Sequence, residues 1–232
     1  MSYNLSGAWS LFAILKGPPV FTYKKFKHEL DSGAEAIGEV GVTVHMLRFT
    51  HHVHQLVNDI LDAIEKRSST RGYTAEKLTD AELERLLKAG LQAPTAANKL
   101  EIHISVLDGG NPILAEIEAE KNAQMNIQSP PANFYYSAPG VMILSGDKSF
   151  PWSALDAGIA VENIALAAEG LGLGSVIIGV IKGAMSGGKK EYFARTLKFP
   201  ENYEFEIAIA IGHKAAEKAP HEYDMGKNVS YL

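Results

Sequence analysis

Residues 66–73 read Lys-Arg-Ser-Ser-Thr-Arg-Gly-Tyr, and they combine side chains that readily bind a phosphate group. Arginine presents a planar fork that pairs with phosphate through two hydrogen bonds, and serine hydroxyls can donate beside it. The stretch follows a helix-like segment over 59–66. A solvated turn would have the same composition, so the pattern alone leaves phosphate binding and an ordinary surface turn both open.

A second stretch whose side chains could bind a ligand runs from Ala93 to Asn98 and reads Ala-Pro-Thr-Ala-Ala-Asn. Pro94 is expected to end the helix before it, because proline cannot continue a helix. Thr95 and Asn98 place a hydroxyl and an amide on the loop that follows. An amide both donates and accepts hydrogen bonds, which suits the edge of a heterocyclic ring. A plain helix-to-strand connection is the alternative.

A third stretch, residues 156–179, contains three glycines in the sequence Gly-Leu-Gly-Leu-Gly over 170–174. A dinucleotide-binding fingerprint needs a strand before such glycines and a helix after them, and here the order is reversed. We therefore expect Gly172 or Gly174 to end a long helix, and a strand to begin near Ser175.

The elements that position these stretches are helices mixed with strands. Residues 79–82, Thr-Asp-Ala-Glu, form a capping box, and the leucines at 83, 86, 87 and 91 predict one apolar helix face. Residues 154–171 predict the most apolar helix, with Asp156, Glu162 and Glu169 expected on roughly one exposed side. Strands are predicted over 103–107, 141–144, 175–178 and 205–211. Since strict strand–helix alternation is absent, the pattern favours an α+β layered fold.

Composition excludes several classes of protein. The chain has 232 residues, 46% of them hydrophobic, which is typical of a globular protein. A net charge of −5 argues against a nucleic-acid binder. The absence of cysteine excludes disulfides, iron–sulfur ligation and thiol catalysis. The early apolar run, Ala8–Leu15, is too short to span a bilayer and lacks a basic start, so a cytoplasmic protein without membrane partners is expected.

The chain divides near residue 57. Residues 1–56 are irregular and glycine-broken, and we interpret them as an N-terminal extension outside a catalytic domain over 57–232. Val57 is a candidate alternative initiation site. His51 and His54 have helix-face spacing, but no acidic pattern accompanies them, so we predict no metal site.

From about Asn58 to the C-terminus, these stretches in this order make the chain resemble the FMN-dependent nitroreductase family. The Arg-Ser-Ser-Thr-Arg stretch resembles the family's phosphate-binding motif, and Ala-Pro-Thr-Ala-Ala-Asn resembles its Ala-Pro-Ser-x-x-Asn loop. Asp-Ala-Gly-Ile-Ala with Leu-Gly-Leu-Gly-Ser resembles its central helix and the strand after it. The resemblance implies a central, mostly antiparallel sheet flanked by helices, in a homodimer with flavins at the subunit interface.

The resemblance also implies roles for the arginine- and serine-rich stretch. Arg67 would bind the FMN phosphate, while Ser68 and Ser69 would contact phosphate or ribityl oxygens. Arg71 would reach the polar N1–O2 edge of the flavin ring, where positive charge stabilises the reduced flavin.

Two further stretches would complete the cofactor site. Pro94, Thr95 and Asn98 would form the loop that contacts the flavin, with Asn98 at the ribityl chain or the ring. Ile178 and Gly179 would place the backbone at a strand end beside the reactive N5. Because the flavins would lie between subunits, Arg67 and Asn98 need not belong to the same subunit's site.

The chain departs from the family pattern at two places. The family continues Asn-x-Gln-Pro after its loop, but here Leu100 and Glu101 follow Asn98 and Lys99, so a ring-side amide is missing. Many members carry an arginine after the last strand for the phosphate. No arginine follows Arg195, and a substitute must come from among three basic residues: Lys214, Lys218 and His221.

The implied activity is reduction of nitroaromatic, quinone or similar small acceptors with NADH or NADPH, by a ping-pong mechanism on FMN. Tyr135 and Tyr136 are candidates to line the acceptor pocket, with packing beside Pro139 as the alternative. A flavin-binding protein without turnover is a second possibility. A third is a P-loop-like nucleotide-binding protein, because residues 183–189 fit the spacing G-x-x-x-x-G-K, although Lys190 replaces the Mg²⁺-binding hydroxyl.

Overall fold

The computed structural model describes residues 60–232, so the predicted extension over 1–56, with His51 and His54, lies outside the described residues. The helices are α1 (60–66), α2 (Asp80–Leu91), α3 (Pro112–Met125), α4 (Ser153–Gly170), α5 (Lys182–Ser186), α6 (Lys190–Thr196) and α7 (Met225–Asn228). The strands are β1 (His103–Asp108), β2 (Gly140–Asp147), β3 (Leu173–Ile178) and β4 (Tyr203–His213), and a 3₁₀ turn covers Ala96–Asn98.

The four strands form one sheet in the order β1-β2-β4-β3, and every neighbouring pair is antiparallel. Alternate residues of β2 face two different cores. Val141 and Ile143 pack in one cluster with α3, α5 and α6, whereas Met142 and Leu144 pack in the other with α2 and α4. The sheet is therefore buried on both faces between helices, which confirms the predicted α+β layered fold.

Helix α2 begins as its sequence predicts. The Thr79 hydroxyl accepts from the Glu82 N–H, and the Glu82 carboxylate accepts from the Thr79 N–H at 2.7 Å, which completes the capping box. Leu86 is fully buried, but Leu91 is 61% exposed. The prediction that Leu91 belongs to the buried face was wrong, because α2 ends there and the last turn projects beyond the sheet's core.

Helix α4 carries the main apolar surface, and Gly172 ends the turn after it with a φ of +75°, as expected for a residue that follows a helix. The expectation that its three charges share one exposed side was wrong for Asp156, which is 2% exposed, and for Glu169, whose side chain is 12% exposed. Six residues rotate a helix by about 240°, so Asp156 and Glu162 lie about 120° apart.

The G-x-x-x-x-G-K spacing does not form a phosphate loop. Residues Lys182–Ser186 are helix α5, so Gly183 lies inside a helix. A phosphate-cradling loop requires an irregular glycine-rich backbone between strand and helix. The helical structure of this segment therefore excludes a P-loop here.

Among residues 60–232, no helix is long and apolar enough to cross a membrane.

Gly109 allows the chain to turn between β1 and α3. A Cβ at this position would collide with the carbonyl oxygen of Ala138, and the Gly109 N–H donates to the Pro139 carbonyl at 2.9 Å. We expect Gly109→Ala to lower the free energy of unfolding by about 1–3 kcal/mol, because backbone must shift. Gly188→Ala is the control, since nothing lies within 4 Å of its added Cβ. Equal denaturation midpoints for the two variants would contradict this expectation.

Candidate functional site

The arginine segment, defined here as residues 67–73, is fixed to the edge of the sheet. Ser69 pairs in parallel with Ser175 of β3, and the Thr70 N–H donates to the Ser175 carbonyl at 2.8 Å. Tyr73 pairs in antiparallel fashion with Lys214, just after β4. Because backbone hydrogen bonds hold both ends, the side chains between them project from a fixed scaffold rather than from a free turn.

Arg67 stands at the start of this segment and faces α4. Its Nε lies 3.3 Å from the Oε1 of Glu162, and the arginine side chain is 20% exposed. An arginine has five N–H donors, so an ion pair at Nε leaves the terminal guanidinium nitrogens as separate donors. Arg67 therefore has an anchored backbone and a guanidinium group that could bind an anion.

Arg71, at the middle of the segment, is exposed and rests on Tyr136. Its Nε donates to the Tyr136 hydroxyl at 3.2 Å, and its guanidinium carbon lies 5.6 Å from the centre of that ring. The guanidinium also contacts the Ser69 carbonyl at 3.4 Å. The acidic residues nearest to Arg71 along the chain, Glu65 and Glu76, form no ion pair with it.

Tyr136 therefore belongs to the surroundings of Arg71. Its neighbour Tyr135 packs edge-on against Phe134, with 5.2 Å between ring centres, beside the core of the α3 face. Tyr136 has a φ of +53°, an uncommon conformation for a bulky residue. Both tyrosines pack against this core, and Tyr136 in addition contacts a predicted site arginine.

Lys214 is the basic residue that lies against the arginine segment after the last strand. Its Nζ is 2.9 Å from Glu169 of α4 and 3.3 Å from Glu217. Burial alone would lower the Lys214 pKa, but the hydrogen bonds and negative charges of these two carboxylates outweigh it and raise the pKa. Lys214 is consequently charged at neutral pH.

A cavity of about 470 Å³ opens beside Lys214. Lys66 and Lys218 also line it, together with Glu169 and Glu217. The third basic residue considered from the sequence, His221, is exposed and is not part of this lining. Of the three, Lys214 and Lys218 line this cavity, and Lys214 is the one that pairs with the arginine segment.

The Asn98 loop, defined here as residues 94–100, contains a cluster of left-handed backbone conformations. Ala97, Asn98 and Leu100 have φ values of 52°, 53° and 54°. The Leu100 N–H donates to the Thr95 hydroxyl at 2.9 Å, and the Ala96 N–H donates to the Asp156 carboxylate at 2.9 Å. Pro94 and the Asn98 side chain are exposed on the outside of this loop.

Ile178 and Gly179 lie at the opposite end of β3 from Leu173. Ile178 is buried and pairs with Ala208, whereas Gly179 is exposed, and its carbonyl accepts from the Lys182 N–H at 3.0 Å. Ser175 and Ile178 are three residues apart, which is about 10 Å along a strand. The arginine segment and the backbone of Ile178 and Gly179, which is predicted to lie beside the flavin, are therefore both positioned by β3.

Helix α4 connects the other predicted site stretches. Asp156 binds the Asn98 loop, Glu162 pairs with Arg67, and Glu169 pairs with Lys214. These positions span about 20 Å along the helix axis, since each residue rises 1.5 Å. No hydrogen bond or ion pair between described residues joins the Asn98 loop directly to the arginine segment.

The three acidic contacts were missed by reasoning from the sequence. The available signal was that Asp156, Glu162 and Glu169 interrupt an otherwise apolar helix, which often marks a partnered charge. Their partners are 45 to 95 residues away along the chain, a separation at which helical periodicity carries no information.

The protein is therefore an α+β protein with an antiparallel sheet. Its arginine segment and the end of β3 lie along one edge of the sheet, and helix α4 contacts both the arginine segment and the Asn98 loop. The chain belongs to the nitroreductase family, whose model matches residues 64–213.

Similarity to individual proteins supports the same family. An FMN reductase [NAD(P)H] from Bacillus subtilis is 27% identical over 182 residues, covering 70% of this chain and 69% of that protein. A nitroreductase with bound FMN from Desulfitobacterium hafniense is 28% identical with a TM-score of 0.68, covering 75% of this chain and 98% of that one. A nitroreductase with bound FMN from Bacteroides fragilis is 25% identical with the same TM-score and the same coverage.

Proposed function

We propose that this protein is a cytoplasmic, FMN-dependent oxidoreductase that uses NADH or NADPH to reduce small acceptors such as nitroaromatics or quinones. The observation that carries the proposal is the attachment of the arginine segment to β3, which presents Arg67, Ser69 and Arg71 from a fixed backbone. The similar proteins named FMN reductase or described with bound FMN align over this part of the chain, and they support the choice of flavin.

The charges and donors present fit the phosphate end of FMN. Arg67 would pair with the phosphate through its terminal nitrogens, and Ser68 and Ser69 would donate to phosphate or ribityl oxygens. Lys214 would complete the site, because it is the partly buried cation held against the same segment. A phosphate dianion would be balanced by these cations despite the adjoining carboxylates.

The remaining predicted residues would orient the ring. Thr95 and Asn98, after Pro94, would contact the ribityl chain or the ring, and the backbone of Ile178 and Gly179 would lie beside it. When bound, FMN supplies the hydride chemistry, while the protein supplies binding, orientation and charge.

Arg71 would place its positive charge at the polar edge of the ring. Its contact with Tyr136 holds the guanidinium in one orientation, so that less reorganisation is needed when negative charge develops. The nicotinamide and the acceptor would occupy the same face in turn, which gives ping-pong kinetics. A face that is open and used by both the nicotinamide and the acceptor would allow several types of acceptor to bind.

A visible spectrum of the purified protein tests the flavin, and NADH or NADPH tests the turnover. We expect a yellow protein that takes up FMN in preference to riboflavin, because riboflavin lacks the phosphate. We also expect that the absorbance bleaches with NAD(P)H and returns when a quinone is added. Flavin that binds without bleaching would indicate a binding protein without turnover, and failure to bind any flavin would refute the proposal.

We further propose a homodimer with the flavins at the subunit interface. Large apolar side chains are exposed on three helices and at the N-cap of one of them, where a second copy would cover them: Ile60, Leu61, Ile64, Leu91, Trp152 and Leu155. Light scattering is expected to give twice the mass of the 25.1 kDa chain. A monomer mass in the FMN-bound protein would contradict an interface site.

The domain boundary leads to a truncation prediction. A chain that starts at residue 57 is expected to fold, dimerise and bind FMN as the full chain does, because the family match covers residues 64–213. Flavin content, molar mass and melting temperature of the two chains provide the comparison. Loss of folded yellow protein on truncation would show that residues 1–56 are structurally required.

A further inference from the structure

Two carboxyl groups are buried together beside the Asn98 loop. Asp156, in the first turn of α4, is 2% exposed, and Glu101, just after the loop, is 8% exposed. Acidic side chains are rarely buried without a partner. No ion pair among the described residues joins either of them to a basic side chain.

Few hydrogen-bond donors reach the two carboxyl groups. Asp156 accepts from the Ala96 N–H, but the Oε2 of Glu101 is buried with no donor directed at it. The Ser153 hydroxyl has one proton and two acceptors, the Asp147 carbonyl at 2.9 Å and the Oε1 of Glu101 at 3.4 Å, so it offers Glu101 only the longer and weaker hydrogen bond. A proton on Glu101 that faces Asp156 would satisfy both groups.

This pair is attached to the most strained part of the described backbone. Ala97, Asn98 and Leu100 are non-glycine residues in the left-handed region, which persists only where surrounding contacts hold it. The Ala96 N–H to Asp156 bond is the contact that ties the loop to a helix, while the Leu100 N–H to Thr95 bond stays within the loop.

We propose that Glu101 and Asp156 share one proton and act as positioning residues, holding the Asn98 loop in the conformation that binds FMN. The proposal rests on the proposed function for its ligand, but the anchoring of the loop is independent of it. The consequence is that a carboxyl pair, acting through the loop and not as a flavin ligand, makes cofactor affinity depend on pH.

The direction of that dependence follows from the charges around Glu101. Its pKa is raised above the ordinary 4.5 mainly by burial; the hydrogen bond from its own backbone N–H opposes this, the negative charge of Asp156 and the hydrogen bond to it add to the rise, and Ser153 opposes it weakly. Asp147 and Tyr203 also face this region, and the charges of Glu101 and Asp147 help to raise the Tyr203 pKa. Lys99 is a cation of the same region: the pKa of Asp147 is lowered mainly by hydrogen bonds from Ser149, and the positive charge of Lys99 contributes. Among the described residues, however, Lys99 forms no ion pair with Glu101 or Asp156, and its Nζ lies 5.4 Å from the centre of the Phe150 ring.

A raised acid pKa means that the folded protein keeps a proton that the unfolded chain has already released. The contribution of Glu101 to stability is therefore fully present below about pH 4.5 and is lost as pH rises through the pKa of folded Glu101. Above that pKa, two adjacent carboxylates repel, and we expect the loop to leave its anchored conformation. FMN affinity should fall over the same pH interval.

Three variants of the full chain test this inference. Glu101→Gln keeps a donor toward Asp156 but cannot ionise, Asp156→Ala removes the acceptor for Ala96, and Glu120→Gln removes a carboxylate that pairs with Lys189 elsewhere. The FMN dissociation constant is measured by flavin fluorescence between about pH 5 and about pH 8. Amide hydrogen exchange over residues 94–100 is followed without FMN.

We expect affinity to weaken with rising pH in the wild type and in Glu120→Gln, and to stay at the low-pH value in Glu101→Gln. Asp156→Ala should bind FMN about tenfold more weakly at every pH and exchange the Ala96 amide faster. Unchanged pH dependence in Glu101→Gln, or wild-type exchange in Asp156→Ala, would overturn the inference. A wild type that binds no FMN would refute the proposed function, and exchange would still decide the anchoring.

Discussion

Replacing Arg67 with alanine is expected to weaken FMN binding about ten- to a hundredfold, since one charge-assisted hydrogen bond to phosphate contributes about 1.5–3 kcal/mol. The fold should remain intact. Arg67 has one ion pair, with the half-exposed Glu162, and such pairs contribute little to stability. Fluorescence titration with FMN measures the affinity, and thermal unfolding measures the stability.

Glu162→Gln is the matched control for this variant. It breaks the same ion pair and leaves the arginine, so it separates loss of the pair from loss of a phosphate contact. We expect its FMN affinity to equal or exceed that of the wild type, because the guanidinium loses a competing carboxylate. Wild-type affinity in Arg67→Ala, or equal weakening in both variants, would show that Arg67 is structural.

The sequence was sufficient to predict the layered fold because local signals agreed with it. The capping box at Thr79, the glycine at 172 and the four apolar strand segments each correspond to an observed element. These features depend on residues close together in the chain, where periodicity and capping chemistry are informative. Each predicted strand is present, and each extends beyond its predicted bounds.

The contacts that organise the candidate site could not be predicted in the same way. Asp156 was expected on an exposed face, yet it is buried because the Asn98 loop returns to α4 over a separation of 60 residues. Glu101 gave no signal at all, since an acidic residue after a loop is ordinarily solvated. The partner of Arg71 could not be predicted either, because Tyr136 lies 65 residues away along the chain.

The cofactor roles of the predicted residues remain predictions, and Arg71 is the one with the strongest effect on chemistry. A positive charge beside the N1–O2 edge would stabilise the negative charge that the ring gains on reduction. The observed geometry is suited to this role, because Tyr136 orients the guanidinium without neutralising it. A carboxylate partner would have cancelled most of that charge.

Arg71→Ala, studied with FMN at saturation, is therefore expected to slow flavin reduction by NAD(P)H about tenfold or more and to lower the flavin's midpoint potential. Stopped-flow absorbance and a redox titration measure the two quantities. Arg71→Lys should retain most of the potential because it keeps the charge, and Tyr136→Phe should change it less than Arg71→Ala because the guanidinium remains. If rate and potential are both unchanged in Arg71→Ala, the arginine acts only through its packing on Tyr136, and the charge at the ring edge must come from another group.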